Sequence, residues 1–158
     1  MTIISDDAFV RLFQKRFGLE PVDGWAGPDT IAMLDSLKPP TVDPVDASGI
    51  PDSYWPMLSK IESGDKPYAQ APSSSASGLY QFIRSTWIGE GGKWGPTLRP
   101  AFGGLKPSPE EQLARARTFT AKNAAYLRSR SVPINRATLY AAHFLGPVTA
   151  GSILAAGK

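Results

Sequence analysis

Residues 52–88 read DSYWPMLSKIESGDKPYAQAPSSSASGLYQFIRSTWI. Trp55, Leu58 and Ile61 recur at helical spacing, so a helix is predicted to start after Asp52 and to end near Gly64. Residues 65–78 form a polar loop with a serine run. Leu79 to Ile88 predicts another short helix. Nowhere in this stretch do apolar and polar residues alternate as they do in strands.

The same absence of strand patterning holds outward in both directions. On the C-terminal side, residues 89–107 are rich in Gly and Pro and read as irregular. Ser108-Pro109-Glu110-Glu111 then gives a helix start, with Ser at the cap, Pro at the first position and Glu three residues after the cap. That helix is predicted to run to about Arg128, with a stripe at Leu113, Ala116, Ala121, Ala124 and Leu127. Pro133 breaks the pattern. Asn135 caps a further helix through Leu145, and Gly146-Pro147 turns the chain into a last apolar helix. On the N-terminal side, Phe9, Leu12, Phe13 and Phe17 give an amphipathic helix over 6–17, closed by Gly18. Pro28 opens a short helix carrying Ile31, Met33 and Leu34. Between the two parts, LKPPTVDPVDASGIP (37–51) has no periodicity and reads as a linker. The fold class is all-α, in two parts: 1–36 and 52–158, joined by 37–51.

Composition narrows the chemistry. The chain has 158 residues, room for one ordinary domain or a small one plus a very small one. It has no cysteine and a single histidine, His143. A thiol nucleophile and a thiolate zinc site are therefore excluded, and a zinc hydrolase would want two or three histidines. No G-x-S-x-G elbow supports a serine hydrolase. Carboxylates, hydroxyls, amides and aromatics remain, the equipment of a glycosidase, and neither metal nor cofactor is expected. Charge is uneven: residues 1–50 hold four basic and eight acidic residues, a net of −4, whereas residues 51–158 hold thirteen and six, a net of +7. A basic C-terminal part is drawn to polyanions, nucleic acid or an anionic bacterial wall alike. The cations of the long helix, Arg115, Arg117, Lys122, Arg128 and Arg130, do not share one face, which reads as a solvated surface rather than a nucleic-acid site.

Two segments carry resemblances. AFVRLFQKRFGLEPVDGWAGPDTIAML (8–34) resembles the second half of the peptidoglycan-binding helical repeat found beside many cell-wall hydrolases, through Phe13-Gln14, Gly18-Leu19, Val22-Asp23-Gly24, Gly27-Pro28, Thr30 and Leu34. Asp23-Gly24 makes a tight turn, and Gly27-Pro28 lets the chain reverse into the second helix. The resemblance implies that Asp23, Gly24, Trp25 and Gly27 contact the wall. Only half of the family's module is present, and about 30 residues cannot bury much of a core alone. The segment is either a wall-binding element or an N-terminal cap.

The second segment, 62–88, resembles the lysozyme-like domain of lytic transglycosylases, over about residues 52–150. Its carriers are Glu62-Ser63 at a helix end, Gly78-Leu79-Tyr80-Gln81 after a polar loop, and Ser85-Thr86-Trp87. Cleaving a glycosidic bond needs an acid to protonate the leaving oxygen. Burial among apolar groups keeps a carboxyl protonated enough to do so near neutral pH. Glu62 follows Leu58 and Ile61 and opens onto a loop, a half-buried position at a cleft edge. The resemblance implies that Glu62 is the general acid and then the base. The sugar's own 6-hydroxyl attacks the anomeric carbon and leaves a 1,6-anhydro-muramoyl end. It also implies that Ser63, Gly78, Leu79, Tyr80 and Gln81 hold the glycan. Gly78 would admit the sugar to the backbone, and Gln81 would hold an amide or hydroxyl. Tyr80, Phe82 and Trp87 either line the groove or pack in the core, with core packing favoured for Phe82 and Trp87.

Two places depart from that family. Where members carry Ser-Pro in the loop, this chain has Ala71-Pro72, and Ser73, Ser74 or Ser75 stands near. Where members have Ala-Tyr-Asn-x-Gly, this chain has Ala142-His143-Phe144-Leu145-Gly146. Tyr140, one turn back, offers a hydroxyl, and His143 is either a partner of Glu62 or substrate or an ordinary helix histidine. The expected activity is cleavage of the MurNAc-GlcNAc bond of peptidoglycan by a monomer that is not inserted in a membrane. The opening MTIISDDAFVRLF lacks a basic run and reads as no secretory signal, so delivery to the wall is expected through a holin or a phage particle. Two alternatives stand beside this. One is a muramidase like the goose-type lysozymes, with Asp65 or Glu90 placing a water. The other is a non-catalytic wall-binding or virion protein.

Overall fold

The structure, a computed structural model, describes residues 6–37 and 43–156. Among them every regular element is helical: α1 (Asp6–Arg16), α2 (Pro28–Ser36), α3 (Tyr54–Ser63), α4 (Arg84–Gly89), α5 (Pro109–Ser129), α6 (Arg136–Leu145) and α7 (Pro147–Ala156). A 3-10 turn covers Ala101–Gly104. The only β pairing among the described residues is three isolated bridges. The protein is all-α. No described helix is long and apolar enough to cross a membrane.

The caps explain most helix boundaries. Ser108 Oγ accepts from Glu111 N at the start of α5, and Asn135 and Thr138 form a reciprocal capping box at the start of α6. Gly64 closes α3 in the left-handed conformation, its N–H donating to Lys60 O and Ser59 O. One predicted helix is corrected. Residues 79–83 are not helical, and α4 begins only at Arg84. Gln81 has φ +53°, and Ser77 and Phe82 exchange both backbone hydrogen bonds (3.0 and 3.1 Å). Pairing with the preceding loop wins over helix periodicity there. The stretch read as wholly irregular, 89–107, contains the 3-10 turn, whose Phe102 is buried against Trp87 and Trp94.

By their contacts the residues gather into two compact units, 52–122 and 1–51 with 123–158. The expected catalytic domain, 52–158, is thus distributed over both. In the first unit the core is aromatic: Tyr54, Trp55, Tyr80, Phe82, Trp87 and Phe102 are buried with Leu58 and Ala116. Phe82 meets Phe119 edge-on at 5.1 Å. In the second unit α1 packs on α6, where Phe17 lies 5.5 Å from the Tyr140 ring and Arg16 Nε donates to Tyr140 Oη at 3.0 Å. The described end of the predicted linker is held by specific bonds. Asp46 Oδ1 accepts from Ser48 N and Ile50 N, Val45 bridges Pro51, Arg128 donates to Ser48 O, and Ile50 is fully buried.

Candidate functional site

Glu62 is the penultimate residue of α3 and is half-buried, as its place after Leu58 and Ile61 predicts. Its neighbour Ser63 ties the helix end to the following motif: Ser63 Oγ lies 3.0 Å from Ser59 O and 2.9 Å from Leu79 O, within hydrogen-bonding reach of both carbonyls. The fifteen intervening residues are folded back by Gly78 N donating to Ala69 O (2.8 Å) and Ala71 N to Ala76 O (3.0 Å). Glu62-Ser63 and Gly78-Leu79-Tyr80-Gln81 are thereby joined by a direct bond.

Inside that motif several groups make contacts within the protein. Gly78 has φ +84° and is buried. A Cβ there would lie 2.4 Å from Gln112 Oε1 and 2.5 Å from Phe102 Cζ. The space beside its Cα is filled by protein, so Gly78 admits Gln112 and Phe102 rather than a sugar on that side. Gly78→Ala adds both a clash and a strained backbone, and is expected to destabilise the protein by about 2–4 kcal/mol, read from the midpoint of urea unfolding. Gln81 spends its amide NH2 on Gly78 O (3.0 Å) and Ala69 O (3.2 Å), which braces the loop. Tyr80 is buried edge-on to Trp55 at 6.2 Å, and burial pushes its phenol above the ordinary value, opposed by the Arg117 guanidinium. Phe82 and Trp87 are core residues, and the Trp87 indole N–H donates to Lys93 O.

Gln112 is the residue sequence reasoning missed. It is 1% exposed. Its Oε1 accepts from Leu79 N (2.9 Å), and its Nε2 donates to Pro67 O (2.9 Å) and Pro107 O (3.1 Å). One side chain of α5 therefore fixes both ends of the loop that follows Glu62. The signal was a polar residue on the buried face of α5, at helical spacing from Ala116, Thr120 and Asn123. The apolar stripe alone does not reveal it.

The loop serines and the candidate water-holders are also engaged. Ser74 Oγ accepts from Ala76 N, and Ser75 Oγ accepts from Arg84 N at the start of α4. Ser59 Oγ donates to Asp65 Oδ1 (2.7 Å). Glu90 receives Lys122 Nζ (2.9 Å) and Thr118 Oγ1 (2.9 Å). Arg115 is braced against Glu111 and Glu90 O, and Arg117 lies 5.8 Å over the Trp55 ring. Arg117, Lys122, Arg128 and Arg130 are exposed, as expected of a solvated surface, while Arg115 is half-buried.

Asp23, Gly24, Trp25 and Gly27 come together in the other unit, around Gln14. Gln14 is 3% exposed. Its Nε2 donates to Asp23 Oδ1, Trp25 O and Thr30 Oγ1, and its Oε1 accepts from Asp23 N and Gly24 N. The Trp25 ring covers Gly27, where a Cβ would lie 2.5 Å from the ring, yet Trp25 itself is 67% exposed. The result is a cavity of about 150 Å³ with Asp23, Trp25, Gly27, Pro28 and Thr30 in its wall.

The Trp25 backbone N–H and the Gln14 amide beside Asp23 hold its carboxyl below the ordinary carboxylate value of 3.8. A depressed folded value stabilises the fold above pH 3.8, and the contribution is lost as pH falls through the depressed value. The difference in Tm between wild type and Asp23→Asn is therefore expected to shrink steadily below pH 4 in a thermal-unfolding series. A difference constant from pH 6 to pH 2 contradicts it.

Tyr140 and His143 belong to this second unit. The Tyr140 hydroxyl receives Arg16 Nε and its ring is buried. The His143 ring is half-buried and stacked 6.5 Å from that of Tyr140. Among the described residues no three His, Cys, Asp or Glu side chains gather as a metal site. No model of a known protein family matches this chain, and a comparison with curated proteins finds no match.

Proposed function

We propose that this chain cleaves the MurNAc-GlcNAc β-1,4 bond of peptidoglycan by lytic transglycosylation, in a domain related to the lysozyme-like transglycosylases. The observation that carries the reading is the Ser63–Leu79 bond, which joins the Glu62 helix end to the Gly78–Gln81 segment. Glu62 protonates the leaving oxygen as the anomeric C–O bond breaks. Its carboxylate then takes the proton of the muramoyl 6-hydroxyl, whose oxygen bonds to the anomeric carbon. No water is consumed. Transglycosylation is favoured over hydrolysis because Asp65 and Glu90, the carboxylates available to hold a water, are bonded to Ser59 and to Lys122 with Thr118. The cavity around Asp23 and Trp25 serves as the wall-holding element, with Trp25 as an exposed stacking platform.

Purified sacculi incubated with the protein test the reading. Mass spectrometry is expected to find muropeptides ending in 1,6-anhydroMurNAc. Reducing MurNAc ends would replace transglycosylation by hydrolysis, and no new muropeptides at all would leave a wall-binding or virion protein.

A further inference from the structure

A second cavity, of about 330 Å³, lies beside Trp87 within residues 52–122 and is used by none of the proposed chemistry. Its size falls at the lower end of small-molecule sites. Trp87, Leu105 and Pro107 supply apolar walls, and Glu111 with Arg115 supplies a polar one. Lys93 and Lys106 complete the lining, both exposed.

The cations here have unequal freedom. Arg115 donates through Nε and Nη2 to Glu111 Oε1 (3.0 and 2.9 Å) and through Nη1 to Glu90 O (2.6 Å), with its guanidinium 5.5 Å over the Trp87 ring. Its charge is matched by Glu111 and its fork is occupied, so it is a wall. Neither Lys93 nor Lys106 forms an ion pair with a described residue. Lys106 Nζ rests 5.9 Å over the Tyr68 ring, and the Lys93 backbone is fixed by its carbonyl accepting from the Trp87 indole. Two lysines with no ion-pair partner among the described residues therefore line the cavity beside its apolar walls.

We infer that this cavity binds a phosphate carried on a sugar or polyol. Carboxylates are best recognised by a free planar guanidinium, and the one here is spent. Two mobile ammonium groups act as point charges and suit a phosphate monoester, whose charge is about −1.5 to −2 near pH 7. The cavity is larger than a phosphate alone needs. Its apolar walls accept the carbon face of a sugar or polyol, and Glu111 offers a carboxylate oxygen to a hydroxyl.

The full-length protein, labelled with 15N, is titrated with glucose 6-phosphate. Saturable shifts are expected at the Trp87 indole N–H and at the Lys93 and Lys106 amides. The double variant Lys93→Gln, Lys106→Gln is expected to weaken apparent affinity about tenfold or more, with the rest of the spectrum unchanged. Glucose is expected to give no shift, and glutarate, a dicarboxylate of matching charge, a weaker one. Absence of saturable shifts, equal binding by the double variant, reproduction of the shifts by sodium chloride at matched ionic strength, or glutarate binding as tightly as the sugar phosphate would each overturn the inference.

Discussion

Glu62→Gln is expected to lower the rate of sacculus cleavage by about 10²–10⁴, the usual contribution of a positioned general acid. The substitution keeps the shape and volume of the side chain and removes only the transferable proton. Glu62 sits at the end of α3, with the helix already closed by Gly64 and tied down through Ser63. The far-UV circular dichroism and the Ser63–Leu79 link should therefore survive. Glu62→Asp withdraws the carboxyl by about one bond and should cost roughly a hundredfold, since a displacement of about 1 Å is enough for that. A Glu62→Gln protein retaining more than a tenth of the wild-type rate would remove Glu62 from the role of acid. Cleavage products with the same ends would then have to come from another group.

Gln112→Ala is expected to destabilise the protein by about 3–5 kcal/mol. It deletes three hydrogen bonds and strands Leu79 N, Pro67 O and Pro107 O, and a buried polar group left unpaired costs about 1–3 kcal/mol. The total is set below the sum because the three groups share one site and relax together. Against the roughly 5–15 kcal/mol of an ordinary domain, the loss is large, and a fall in the urea midpoint measures it. Gln112→Glu separates geometry from mere burial. Its carboxylate can still accept from Leu79 N, but it faces the two proline carbonyls without a proton to give. Such a carboxyl has its folded pKa raised, so its share of stability is present below about pH 4.3 and is lost as pH rises. The variant should be closer to wild type at pH 4 than at pH 7. A Gln112→Ala protein within 1 kcal/mol of wild type would mean that the loop closes without it.

What the sequence disclosed and what it concealed follow from the range of the interactions. Helix ends were legible wherever local chemistry sets them: Ser108 and Asn135 at starts, Gly64 and Gly18 at stops. The all-α class was legible from the absence of alternation. The error at 79–83 came from a tight local turn: Ser77 pairs with Phe82 and Gln81 turns left-handed between them, a geometry that apolar periodicity does not report. Glu62 and Ser63 were found as a motif, and so were the wall-binding candidates Asp23 to Gly27. Their organisers, Gln112 and Gln14, were not assigned a role. A glutamine buried by several simultaneous bonds looks in sequence like any solvated glutamine, and only the partners, 33 and 45 residues away for Gln112, distinguish it. At Gly78 the sequence shows that a side chain is missing and not that Gln112 and Phe102 fill the gap.

The discontinuity of the second unit sets an order of assembly during synthesis. Residues 52–122 form one uninterrupted unit and can close while the ribosome is still making the rest. The helices α1 and α2 are made before that unit and their partner α6 after it, and the Arg16–Tyr140 contact spans 124 positions. Helices α1 and α2 must therefore wait, half-formed, until α6 has been made. A nascent chain stalled short of residue 136 should carry a protease-resistant middle and a protease-sensitive beginning.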